Sequence, residues 1–400
     1  NGTMWSALFP GFAGQFGTSE GIYGLTSYQN ELIACGDFSI AGSSGKTFVA
    51  RRGERDWLPL GGNFNGRILT MTKHDGCLIV GGDFTSANGA RANHIMRWNG
   101  ANWSSIGSGI DGQVAALGTF GQDLIATGGF VKASGVSANY IARWDGNIWS
   151  PLGSGLGGRG WACFEWNGSL FVSGSFSNAG GMTASQIARW DGVSWHNLNA
   201  NPNGGILSFA EWDGSLIVGG DFSQIGGAPV KGVARWDGNS WHDHSSGIVS
   251  GFPGSFCVFD GKLTAVGGFV LEGGQYATLA QWDGSRWLLL GTPIDGYVGS
   301  STVFNNELTV GGWFADFGVP LHYYFAQLSP SCPRGDLNCD LAVDFSDVPL
   351  FVDALLDDEG LNGCAIHSAN TNGDVALDGS ALLSGADIQP FLNTLLYGCP

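Results

Sequence analysis

The residues best spaced to do chemistry lie towards the end of the sequence. Asp336, Asn338, Asp340, Asp344 and Asp347 occupy positions 1, 3, 5, 9 and 12 of the stretch DLNCDLAVDFSD. Those are the side-chain positions of a calcium loop, where a hard cation takes six or seven oxygens from a curling backbone. Ala342 stands where such a loop contributes a backbone carbonyl. An amphipathic helix is predicted to follow through Val348, Phe351, Val352, Leu355 and Leu356. The unit recurs, with Asn370, Asn372, Asp374 and Asp378 at positions 1, 3, 5 and 9. Position 12 falls on Ala381, and Asp387 comes six residues later, opening a second helix that ends at Leu395-Leu396. Either residues 379–384 bulge out and Asp387 closes the site, or the second site is weak. Ca2+ is the expected metal.

Other candidates are thinner. Glu165 and Glu211 stand at equivalent places on neighbouring repeats, and paired carboxylates can run acid–base chemistry on a glycosidic bond. Each also precedes an aromatic-Asn/Asp-Gly turn, which favours the plainer reading as strand-end polar residues. His242 and His244 alternate to one side of an outer strand, two ligands without a third. Asp37, Asp83 and Asp221 each follow a glycine, as polar contacts at one face or as loop caps. Trp161 and Trp313 are the residues that would stack on sugar rings. No G-x-S-x-G, H-E-x-x-H or phosphate loop occurs.

The elements that position these residues follow a 46-residue period. Trp57, Trp103, Trp149, Trp195, Trp241 and Trp287 keep it, and so do Trp98, Trp144, Trp190, Trp236 and Trp282. Phe38, Phe84, Phe130, Phe176, Phe222, Phe269 and Phe314 form a third series with a one-residue slip at the sixth. Within one period, residues 68–73, 77–84, 94–99 and 103–106 read as strands. Turns such as Asp75-Gly76 and Asp145-Gly146, whose chemistry suits tight hairpins, separate such strands. Four strands per period is one propeller blade. Seven Phe markers predict seven blades over residues 1–330. Phe325-Ala326-Gln327-Leu328 stops short of an outer Trp strand, and Trp5-Ser6-Ala7-Leu8 supplies it, so residues 4–8 are expected to pair into the last blade and close the ring.

The Gly pair followed by a strand-starting Trp resembles the kelch-type repeat over residues 4–328, with Trp where kelch repeats usually carry Tyr. The two loop-helix units of residues 331–400 resemble a type I dockerin, and D-I-Q-P-F-L-N resembles the variant abundant in planctomycete secreted proteins. That resemblance implies calcium at the ten residues named above, metal-dependent folding of the tail, and one face that docks on a cohesin-like partner. The insertion before Asp387 interrupts that face. Cys339–Cys364 and Cys332–Cys399 are the expected disulfides, among three pairings that four cysteines allow. Cys35, Cys77, Cys163 and Cys257 read as buried thiols.

Composition bounds the rest. The 400 residues include 68 Gly, 16 Trp and 25 Phe, with 17 basic and 34 acidic side chains and a net charge of −17. Such a chain repels a phosphate backbone, so nucleic acid is not an expected partner. No apolar run long enough to span a membrane exists. The eight cysteines and a start at Asn1 fit a secreted, extracellular or cell-surface protein. The expected role is non-catalytic: calcium binding and protein–protein interaction or self-assembly, with other copies or a cohesin-like extracellular protein as partner. A dockerin-borne polysaccharide-active enzyme and a glycan-binding lectin are the alternatives.

Overall fold

In the computed structural model the described residues are 5–6, 12–13, 21–40, 46–53, 57–291, 294, 296–314 and 325–328. Both candidate calcium loops, the helices expected after them and the four C-terminal cysteines lie outside these residues. By backbone contacts the chain divides into two units. One is Ala7–Phe304 with Thr309–Ala326; the other is Asn1–Ser6, Asn305–Leu308 and Gln327–Pro400.

Every helix or strand among the described residues is a strand, and the fold is a β-propeller. The second repeat shows the plan: Ile68–His74, Cys77–Gly82, Ile95–Trp98 and Trp103–Ser105 pair antiparallel from inner to outer strand. Those are the four predicted strands, the first one residue longer and the other three shortened at their ends. Among the described residues six four-stranded sheets are present where the repeat count predicts seven, and the sheet of the first repeat has five strands. Its second strand, Glu31–Ile40, outruns the inner strand Gly21–Tyr28. Phe12–Ala13 therefore pairs with the surplus, Phe12 opposite Ile40. The expected return of residues 4–8 to the last repeat appears as Trp5 opposite Leu328 and Ser6 opposite Gln327.

The tryptophan periods have a direct cause. In repeats two to six the two Trp residues face each other across the outer hairpin, for example Trp144 opposite Trp149, with ring centroids 5.5 Å apart. The outer indole N–H then reaches back 43 residues to a carbonyl of the preceding repeat. Trp103 donates to Leu60, Trp149 to Ile106, Trp195 to Leu152, Trp241 to Leu198 and Trp287 to His244, at 2.8–3.3 Å. A buried indole needs such an acceptor, and here it staples one repeat to the next.

The Gly pair is steric. A β-bulge on the inner strand pushes a carbonyl towards the second strand, as between Ile68 and Thr70. A Cβ on Gly82 would stand 2.0 Å from the Arg67 carbonyl oxygen, and one on Gly220 the same distance from that of Gly205. The preceding Gly81 faces Val114 of the next inner strand, where a Cβ would meet Cγ1 at 2.5 Å. Side chains from adjacent sheets fill the space between, such as Ile79, Ile95, Val114, Leu124 and Phe130 in one cluster.

Four two-stranded ribbons were not legible in the sequence. Ser86–Ala87 with Ala90–Arg91, and three counterparts in repeats three to five, stand between the second and third strands. Asn65, Asp111 and Asn203 each hold a ribbon by accepting two backbone N–H bonds through one side-chain oxygen.

Candidate functional site

At the starts of the inner strands the repeats stop being alike. Positions that share one place in the period hold Gly21, Arg67, Gln113, Arg159 and Gly205. Arg67 Nε donates to Asp83 Oδ2 at 2.8 Å, with Nη2 on the same oxygen. Gln113 Nε2 donates to the other Asp83 oxygen, and Arg159 Nη2 donates to Gln113 Oε1. The Tyr23 hydroxyl hydrogen-bonds Arg67 from the first repeat. One chain of polar contacts thus links the starts of four consecutive repeats. Asp83 holds Arg67 above its usual pKa, and burial pushes the Tyr23 hydroxyl up.

Two further side chains extend this edge. Trp161, beside the bulge between Gly160 and Ala162, is half-buried and lies over Gly205; a Cβ there would meet its Cζ3 at 2.7 Å. Asp221 accepts the Gly205 N–H, and Asp37 is paired with Lys46 at 2.7 Å. Of Asp37, Asp83 and Asp221, the first two therefore meet cations, and Asp221 caps a backbone N–H at the start of an inner strand. Arg159 is exposed and, among the described residues, has no carboxylate partner, so this edge carries a positive charge on its outer side. The chemistry on offer is recognition: a guanidinium, an amide and an indole side by side. Arg67, Gln113 and Arg159 were not singled out from sequence, because each reads as an ordinary strand start. Lining up positions 46 apart would have shown them as one column.

The other candidates separate. Glu165 lies at the far end of its inner strand and accepts the Gly121 N–H of the neighbouring turn at 2.9 Å, a capping contact. Glu211, one repeat on, is exposed, and no hydrogen bond joins it to Glu165 among the described residues. His242 bonds Asp237 at 2.6 Å, whereas His244 stacks on Trp282 with ring centroids 4.0 Å apart. The two histidines do not converge, and no group of three potential metal ligands occurs among the described residues. Asp191 and Asp237 are held well below the usual carboxylate range by backbone N–H bonds and by their histidine partners. Cys35 is buried and Cys77, Cys163 and Cys257 are partly buried, all as free thiols. Burial pushes Cys163 up to about 12 and Cys257 up to about 11, which removes them from nucleophilic chemistry near neutral pH.

Two stretches of the chain match a β-propeller family. Its model, described as domain of unknown function (DUF5122) beta-propeller, covers residues 74–104 and 213–239, in repeats two and five. No curated protein matches the chain. Among solved structures, the computationally designed protein Ika8 is 11% identical with a TM-score of 0.45, over 74% of this chain and 82% of that one. The extracellular domain of a candidate one-component system from B. thetaiotaomicron is 10% identical with a TM-score of 0.42, over 78% of this chain and 47% of that one.

Proposed function

We propose that the chain is an extracellular binding and assembly protein: a seven-bladed, kelch-like propeller that grips a partner, carried with a dockerin-like tail that takes up Ca2+. The observation that carries this reading is the contrast between frame and edge. Tryptophans, bulge glycines and Asp-Gly turns repeat with little change, while the strand-start edge holds Tyr23, Arg67, Asp83, Gln113 and Arg159 in one linked array, with Trp161 on the same edge over Gly205. A frame kept constant around a varied polar edge is how a repeat scaffold presents a specific surface. Gly296–Phe304 packing on Gly21–Tyr28 supports a ring of seven inner strands.

The tail reading rests on its donor set. Asp336, Asn338, Asp340, Asp344 and Asp347 offer oxygens at the spacing a calcium loop needs, and Asn370, Asn372, Asp374, Asp378 and Asp387 make the second set. Residues 332–400 hold 11 acidic and one basic side chain, a net of −10, so cation uptake would relieve strong self-repulsion there. A small domain beside a rigid scaffold can pack on the next copy head-to-tail and give an open array.

Electron microscopy of the purified chain, with millimolar calcium and with chelator, tests this. Ordered filaments or sheets that dissolve on chelation are expected. Single particles in both conditions overturn self-assembly, and glycan screening with the Glu165→Gln, Glu211→Gln and Trp161→Ala variants then separates an enzyme from a lectin.

A further inference from the structure

A second polar site lies away from the strand-start edge, between the outer parts of repeats four and five. A groove of about 580 Å³ is lined by Arg189, His196, Asn199, Asn239, Ser240 and Trp241, among others. That volume is in the range of small-ligand pockets, roughly 300–1,000 Å³. Its walls are fixed: the Trp241 indole donates to the Leu198 carbonyl across the floor, and Asn197 holds its loop by contacts to Thr183 and Asn199.

The groove contains an unanswered charge. The arginines at the same place in the other Trp-paired hairpins are engaged: Arg97 with Ser104, Arg143 with Asp123 and Arg235 with Ser215. In repeat four Ser169 stands at the place of Asp123 and Ser215, but Arg189 Nε is buried with no hydrogen-bond partner among the described residues. With its Nε closed to solvent, this guanidinium can meet an external acceptor in the groove only through its outer nitrogens, Nη1 and Nη2. Around it stand neutral amide and hydroxyl groups, suited to a polyhydroxylated body, with the Trp241 ring as an apolar surface. The groove offers one guanidinium, and Asp191, bonded to His196, stands behind its wall. That balance suits a singly charged carboxylate better than a phosphate dianion.

We propose that this groove binds a hexuronate unit of an acidic polysaccharide, its carboxylate on Arg189 and its hydroxyls on Asn199, Asn239 and Ser240. The site is independent of the assembly reading. Calorimetric titration of the full chain with trigalacturonate and triglucuronate tests it. Binding of at least one trimer is expected, weakened at least tenfold in Arg189→Gln and unchanged in Arg143→Gln, with folding of both variants checked by circular dichroism. Should Arg189→Gln fail to fold, the methyl-esterified trimer on the unaltered protein gives the same contrast, with tenfold weaker binding expected. Failure of both acidic trimers to bind, equal binding of the ester, or displacement by an equal concentration of inorganic phosphate each overturns the proposal.

Discussion

Repeats two to five and repeat six solve one packing problem differently. In the middle four, the third strand is cut short by residues in the left-handed region: Asn93 and His94 at φ 49° and 69°, Asn139 and Tyr140 at 45° and 71°, Gln186 at 60° and Gly232 at 74°. The chain before the cut folds back as a two-residue ribbon. Repeat six lacks such a break, so Lys262–Leu271 and Gln275–Trp282 run on as one long hairpin that turns at Gly273-Gly274. The junctions change with it. The carbonyl that accepts each indole staple belongs to Leu60, Ile106, Leu152 and Leu198, but to His244 where repeat five meets repeat six. A spacing repeated along the chain therefore fixes where repeats join and leaves the chemistry of the joint free to vary.

The sharpest way to break this comparison is at the bulge. Gly220→Ala puts a Cβ against the Gly205 carbonyl and should cost about 3 kcal/mol in chemical denaturation. In repeat six the bulge glycine is Gly267, and a Cβ on the following Gly268 would meet only the Tyr276 hydroxyl at 3.2 Å. Gly268→Ala should therefore cost below about 1 kcal/mol. Equal losses would show that the Gly268 position is as crowded as the bulge position.

Next comes the odd junction. Burial, and then Arg235, push His244 down to about 4, against the weaker opposite pull of Asp243. Below pH 6.5 the unfolded chain takes up a proton that the folded chain refuses, so this residue costs stability as pH falls from about 6.5 to 4. The loss should reach about 3 kcal/mol by pH 4, and His244→Leu, which places there the side chain of the Leu60, Leu152 and Leu198 junctions, should flatten that limb. Denaturation midpoints at pH 7 and 4.5 read the difference, and an unchanged acid limb in the variant would refute it.

Trp195→Phe removes the 2.8 Å bond to Leu152 and leaves that carbonyl without its donor, for an expected loss of about 1–2 kcal/mol by thermal melting. The smallest effect is expected at Glu165→Gln, because an amide oxygen still accepts the Gly121 N–H: below about 0.5 kcal/mol. A large loss there would mean that its charge, and not its cap, matters.

Much of the frame was legible before any coordinates. Trp pairs, Asp-Gly turns and the Gly pair repeat because each fills a position that tolerates few alternatives, and a period of that kind survives in the sequence. The ribbons were hidden because two residues a side carry no hydrophobic pattern, and because the positive φ of His94 or Tyr140 has no sequence mark. The split of His242 from His244 was hidden too, since strand alternation predicts a shared side but not that a ring leaves the strand to fill a repeat junction. The strand-start array depends on hydrogen bonds between positions 46 apart, such as Arg159 with Gln113, which pattern reading along one strand does not reach.

The indole staples also govern how such a chain can lengthen. Each joins a Trp to the carbonyl 43 residues earlier, across a boundary between repeats. Inserting one whole period between two repeats recreates a staple on each side of the newcomer. Any other length leaves an indole and a carbonyl facing the wrong neighbours, both desolvated. Growth by duplication is thus quantised, and a gene of this kind should change its repeat number in whole units while its surface residues drift one at a time.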